Sequence, residues 1–302
     1  MQRRDVLLSA AAIGAIGATP GTARATPSAP ARRPEPAVRS DDGVGLFVRD
    51  WGEGPPVLFV HSWSMQSAMW AYQVAELSDH GLRCVAYDRR GHGRSDVPAS
   101  GYEMDRLADD LAEVIAQLDL RDVTLVGHSM GCGEILRYVG RHGSGRVARI
   151  AFLAPATPFA LQTADNPAGA PRAYFDQTWA QWAKDFPRWV EENKAPFFTP
   201  ETSPQMVDWM VRMLLETPAP VAIATARAMV ATDLRGDLGK VDRPVLILHG
   251  DNDASTPLEA TGRPTANGIP GAVLKVYPGA PHGLFITHLN AVNRDLLGFI
   301  RG

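Results

Sequence analysis

Three short stretches hold residues that could do covalent chemistry together. In Gly127-His128-Ser129-Met130-Gly131 a serine sits between two glycines, after the apolar run Val123–Val126 and before a helical pattern. A strand that reverses sharply into a helix holds its turn residue in strained backbone with the hydroxyl exposed. A β-carbon at Gly127 or Gly131 would collide with the neighbouring strand or helix. The helix that follows aims free N–H groups at the turn, where they favour developing negative charge. A serine alone is a weak nucleophile, so the chemistry requires a histidine base held by a carboxylate.

Both partners are expected downstream, acid before histidine. The run Pro244–Leu248 is followed by His249-Gly-Asp-Asn-Asp-Ala-Ser-Thr-Pro257, and Ala272–Tyr277 by Gly279-Ala-Pro-His-Gly283. His282 is preferred over His288, because His282 follows a strand in a Gly/Pro loop and His288 falls inside the predicted last helix. Asp251 and Asp253 compete for the acid. Asp253, deeper in the loop, is preferred, and Asp251 is then expected to be a turn residue bonding its own backbone. The loop Ala154-Pro-Ala-Thr157 offers no acid. A tetrahedral intermediate also needs two backbone donors. One is expected at Met130, the other in His61-Ser-Trp-Ser64, at Trp63.

These loops need a sheet to position them. Pro56–Val60, Cys84–Tyr87, Val123–Val126, Val147–Leu153, Pro244–Leu248 and Ala272–Tyr277 read as strands, several of them continuously apolar as strands buried on both faces are. Val38–Gly43 and Val44–Trp51 read as a hairpin around Asp42-Gly43. Helices are expected over Ala68–Asp79, from Met104 to Leu118 with one apolar face, after Ser129, and over His288–Ile300. Alternating strands and helices predict an α/β fold, a mostly parallel twisted sheet with helices on both faces. Residues 38–155 and 239–302 form this core. Residues 156–238 break the pattern and are expected to be an inserted helical cap, rich in aromatics such as Phe175, Trp179, Trp182, Phe186, Trp189, Phe197, Phe198 and Trp209.

Residues 1–25 read as a targeting segment: Arg3-Arg4, an apolar run from Val6 to Ala18 too short to span a membrane, and Ala23-Arg-Ala25 as a cleavage site. The paired arginines resemble a twin-arginine signal, which predicts export of a folded protein to the periplasm or medium. Residues 26–37 read as a Pro-rich linker. A formal charge of −3 without a basic stripe argues against nucleic acid. Cys84 and Cys132 are expected to be buried free thiols. No Cys/His spacing fits zinc, and His249-Gly-Asp251-Asn-Asp253 is better read as an acid loop than as metal ligands. No cofactor and no membrane anchor are expected.

The chain resembles the α/β-hydrolase superfamily, and within it the cofactor-free haloperoxidase/arylesterase (perhydrolase) group. The resemblance runs from about Gly43 to the C-terminus. It rests on Tyr87-Asp-Arg-Arg-Gly-His-Gly-Arg-Ser95 (a turn read as structural), Gly127–Glu134, Arg137–Gly143, the acid loop Gly250–Pro257 and Gly279–Gly283. It implies Ser129, Asp253 and His282 as a triad, with Trp63 and Met130 as oxyanion donors. The family's usual His-Gly-Trp-Pro is here His61-Ser62-Trp63-Ser64; in the family that proline helps shape the loop for perhydrolysis. The leading expectation is an exported serine esterase or lactonase acting on a small apolar or aromatic substrate. A perhydrolase/haloperoxidase is the second reading and a hydrolase-fold ligand receptor the third.

Overall fold

The computed structural model describes residues 38–302, so the expected targeting segment and linker lie outside the described residues. Among the described residues nine strands occur: β1 (Val38–Arg39), β2 (Gly45–Leu46), β3 (Val48–Trp51), β4 (Pro56–Val60), β5 (Arg83–Tyr87), β6 (Val123–His128), β7 (Val147–Leu153), β8 (Val245–Gly250) and β9 (Val273–Tyr277). Seven make one sheet in the order β3-β5-β4-β6-β7-β8-β9. Only β3 runs antiparallel to its neighbour. The expected hairpin forms in part. Val38 pairs with Leu46, but the second strand breaks after Leu46, and Val48–Trp51 joins the edge of the main sheet.

Alternation along the buried strands separates two cores. Leu58, Val60, Val85, Leu125, Phe152 and Ile247 face one way, with α2 (Met104–Gln117), α3 (Met130–His142), α7 (Arg235–Leu238) and α8 (Gly262–Gly268). Val57, Phe59, Val126, Ala151, Leu246 and Leu248 face the other, with α1 (Ala71–Asp79), α9 (Leu284–Thr287) and α10 (Leu289–Arg301). A helix layer on each face satisfies strands that are apolar on both sides. The chain goes from β4 to β5 on one side, then returns to β6 on the other. The strand order thus reverses between β4 and β6, the place where open α/β sheets leave a crevice at their carboxyl ends.

Between β7 and β8 the chain runs through α4 (Arg172–Asn193), α5 (Pro204–Leu215), α6 (Ala219–Ala231) and α7. α4 kinks at Asp185, whose carboxylate accepts the Arg188 N–H, because Pro187 supplies no amide hydrogen to continue the helix. α5 starts with Pro204 behind Ser203, whose hydroxyl accepts the Met206 N–H. Trp179, Trp182, Phe186, Val190, Ala222 and Val230 give this insertion its own apolar centre.

Candidate active site

β6 ends in the turn anticipated from its glycines. Ser129 sits at φ 55°, a left-handed conformation that side chains avoid. A β-carbon on Gly127 would lie 2.8 Å from Ile135 Cδ1 and 2.9 Å from the Cys132 nitrogen, and one on Gly131 would lie 2.4 Å from the Val60 carbonyl oxygen. The first contact is with α3 and the second with β4, so helix and strand close on the serine from both sides. Cys132 is buried, and burial raises its thiol pKa well above the ordinary value.

The loops after β8 and β9 meet beside this turn. His282 Nδ1 lies 2.7 Å from Asp253 Oδ2, both residues being about 5% exposed. Asp253 Oδ1 accepts the N–H groups of Ser255 and Thr256, and Oδ2 also accepts the Thr256 hydroxyl at 2.9 Å. Burial alone would raise the Asp253 pKa. The nearby His282, the hydrogen bonds from His249 and His282, and the Thr256 N–H together hold it well below the usual carboxylate range. With Nδ1 engaged by the acid, His282 Nε2 is left without a protein partner among the described residues.

The rejected candidates lie elsewhere. Asp251 does not bond its own backbone as expected of a turn residue. Its carboxylate accepts the Gly279 N–H at 2.6 Å, which ties the acid loop to the histidine loop. His288 is not inside a helix but between α9 and α10, beside Thr287 and Tyr277.

Ser129, His282, Ser62 and Trp63 all open onto one cavity of about 460 Å³. Its walls are largely apolar side chains of the insertion, among them Phe175, Trp179, Trp182, Trp189, Phe197 and Phe198. Phe186 instead packs within the insertion and Trp209 beside Tyr72. A polar groove of similar size between α1 and α10, lined by Glu76, His80, Arg294 and Arg301, holds none of these groups. The backbone N–H groups of Trp63 and Met130 have no acceptor among the described residues. Met130 is the first residue of α3, where the helix itself leaves N–H groups unpaired.

Three neighbours of this arrangement were not identified from sequence. Thr256 bridges Asp253 and His282, at 2.9 and 3.1 Å. His249 lies 3.3 Å from Asp253 and donates to the Thr256 carbonyl. His128 donates from Nε2 to the His282 carbonyl at 2.9 Å. The Asp-x-x-Thr spacing signals the first; for the two histidines only tertiary placement gives the role.

A serine in strained backbone, a histidine oriented by a carboxylate, and two free donors at the end of β4 and the start of α3 are the parts of acyl transfer on an α/β sheet. Residues 55–289 match the family model of the alpha/beta hydrolase fold. The chain belongs to this family. It is 39% identical to a non-heme chloroperoxidase of Kitasatospora aureofaciens, over 88% of the chain and 99% of that protein. It is 36% identical to a bifunctional esterase/perhydrolase of Acinetobacter calcoaceticus, over 87% and 99%. Among solved structures, an esterase from Exiguobacterium antarcticum superposes with a TM-score of 0.85 at 31% identity, over 88% of this chain and 98% of that one. Within the family the chain is similar to haloperoxidases and to an esterase/perhydrolase, the group its sequence resembles.

Proposed function

We propose that this α/β hydrolase cleaves carboxylic esters or lactones through an acyl-enzyme on Ser129. The Asp253–His282 hydrogen bond, on the same cavity as the strained serine, carries this reading. His282 Nε2 takes the proton as Ser129 Oγ attacks the substrate carbonyl carbon. The oxyanion is held by the N–H groups of Trp63 and Met130. Collapse breaks the acyl–oxygen bond while His282 returns its proton to the leaving alkoxide oxygen. Water then attacks the acyl-enzyme by the same steps in reverse order, giving the acid and free Ser129. The largely apolar cavity wall favours an apolar or aromatic acyl or alcohol group.

The same acyl-enzyme resolved by hydrogen peroxide would make a peracid, the reading favoured by the haloperoxidase and perhydrolase relatives. Ser64 supports water instead. It sits at φ 56°, which a proline ring, fixed near −65°, cannot adopt, so this loop follows a path that the family's proline excludes. Residues 1–25 are proposed to direct export, checked by fractionating cells that produce the full chain or an Arg3→Lys, Arg4→Lys variant.

Release of nitrophenol from a short-to-long acyl ester series tests the mechanism. Turnover by the wild type, lost by roughly 10⁴-fold or more in Ser129→Ala, is expected. Turnover that survives the substitution sinks it. No turnover at all, with tight binding of an apolar ester, would instead indicate a receptor. Adding peroxide as competing acceptor and assaying peracid measures the second reading.

A further inference from the structure

Beneath the loop that supplies Trp63 lies a buried network that the mechanism above does not use. Arg89 and Glu134 are both wholly buried and paired, Arg89 Nε donating to Glu134 Oε2 at 2.7 Å. Tyr87 donates its hydroxyl to the other Glu134 oxygen. The remaining arginine donors reach the loop: Nη2 donates to the His61 carbonyl at 2.9 Å, and Nη1 lies 3.4 Å from the Ser62 carbonyl. The Arg89 main-chain N–H donates to His61 Nε2 at 2.9 Å. Because that nitrogen accepts, the His61 proton resides on Nδ1, which donates to the Ser62 carbonyl at 2.8 Å.

The Ser62 carbonyl and the Trp63 N–H belong to one trans peptide unit, in which the two bonds point in opposite directions. Fixing the Ser62 oxygen on the side of His61 and Arg89 therefore fixes the Trp63 N–H on the other side. Glu134 lies four residues, one helical turn, after Met130 on α3. One guanidinium thus touches both the loop that carries one donor and the helix that carries the other.

We propose that Arg89 and His61 are positioning residues that aim the Trp63 N–H at the substrate oxyanion, with Glu134 fixing their distance from Met130. This rests on the serine-hydrolase reading above. Both charges must be in place: a buried guanidinium and carboxylate are each costly alone, and together they hold geometry even where they add little net stability. Neither residue touches substrate. Their effect is expected in turnover and not in ground-state binding, because an oxyanion donor acts on charge that develops only in the transition state.

The test measures kcat per active site, counted by titration to completion with a nitrophenyl phosphonate, beside KM and Tm, in Arg89→Lys, His61→Phe and Glu134→Gln. Arg89→Lys keeps the charge against Glu134 but loses the fork that reaches both carbonyls. Arg89→Lys and His61→Phe are expected to lower kcat per site roughly 10- to 100-fold with KM within about twofold, less than the full loss of one donor. Glu134→Gln, the mildest change, is expected to lower it about threefold or more in the same pattern; it decides the matter if the other two do not fold. A merely structural network would lower Tm and the titratable fraction but leave kcat per site unchanged, and that result in the folded variants overturns the proposal. Ser129→Ala is run in parallel. If it keeps wild-type turnover, the serine mechanism itself fails. If it is inactive while the other variants match wild type per site, only the positioning role fails.

Discussion

The indole Nε1–H of Trp63 donates to the main-chain carbonyl of Ala222, in the first turn of α6, at 2.8 Å. The same indole stacks on Trp182 of α4, ring centres 4.6 Å apart. The residue proposed to stabilise the oxyanion with its backbone is thus fastened by its side chain to the insertion. Its neighbour Ser64 adds two bonds, its hydroxyl donating to the Leu214 carbonyl and its own carbonyl accepting from Thr217. Loop and insertion are therefore expected to move as one body. The cavity wall and the proposed oxyanion donor cannot be adjusted independently.

Trp63→Phe tests how much this attachment matters. The backbone donor and a smaller stacked ring remain; the bond to Ala222 and part of the stacked area against Trp182 are lost. That carbonyl keeps the Thr225 hydroxyl 3.2 Å away, so the cost to stability is expected to be small, about 1 kcal/mol, read as a Tm fall of about 2–4 °C. Turnover on short acyl esters is expected to change less than on long ones, because the stacked wall they press against is loosened. A uniform loss across the ester series would contradict this.

Asp253→Asn removes a charge without changing shape. Both carboxylate oxygens accept hydrogen bonds, so neither has room for an amide NH₂. With its nitrogen toward His282, the amide would drive the proton from Nδ1 to Nε2, where it could no longer be taken from Ser129. The expected result is a fall in kcat on the order of 10⁴, with KM little altered. Retention of more than a tenth of the activity would remove Asp253 from its assigned role and return attention to Asp251.

Much of this was legible because it is local. The turn at Ser129 follows from glycines whose missing side chains leave room for α3 and β4, and the buried strands follow from apolar runs. Asp253 and His282 are legible as loop residues after strands, and the two loops bring them within hydrogen-bond distance. What stayed hidden depends on contacts far apart in sequence. Nothing near Trp63 announces a partner 159 residues away in α6. The break after Leu46 arises because β3 finds β5, which local pattern does not encode. Asp251 looked like a turn residue because its true partner, Gly279, lies on another loop.

Acid stability should be governed by buried histidines. His61, His92 and His128 are each wholly buried. In each, burial is the largest cause of a lowered pKa, aided at His61 and His92 by Arg89 and at His128 by His282; His92 and His128 fall to about 3. In the unfolded chain such groups take up protons near pH 6.5, while the folded protein leaves them neutral. Stability is therefore full above about pH 6.5 and is lost as pH falls below it. With three such groups the slope approaches about 4 kcal/mol per pH unit between roughly pH 6 and the folded values. Asp253, also held low in the folded state, contributes only near and below pH 4, so the upper window belongs to the histidines. Chemical denaturation at intervals from pH 8 to 4.5 measures the slope, and His92→Gln should lower it by about a third. A flat profile over that range would contradict the buried neutral state.

Strain at the proposed nucleophile predicts a trade between activity and stability. Ser129 holds φ 55° and ψ −115°, where a β-carbon is disfavoured and glycine is not. Such a residue costs of order 1–3 kcal/mol and persists only because its surroundings impose it. Here the imposed contacts are visible: the Ser129 N–H donates to the Leu153 carbonyl, and its own carbonyl accepts from Cys132 and Ala156. Ser129→Ala keeps the β-carbon and the strain, while Ser129→Gly removes both, against a chain-entropy penalty of about 0.5–1 kcal/mol. Both variants should be inactive, yet the glycine form should be the more stable by about 1 kcal/mol, the balance of those two effects. Equilibrium denaturation of the pair reads that difference directly. Alanine equal to or more stable than glycine would mean that the turn carries no strain, and the reason for finding the serine in this conformation would have to be sought elsewhere.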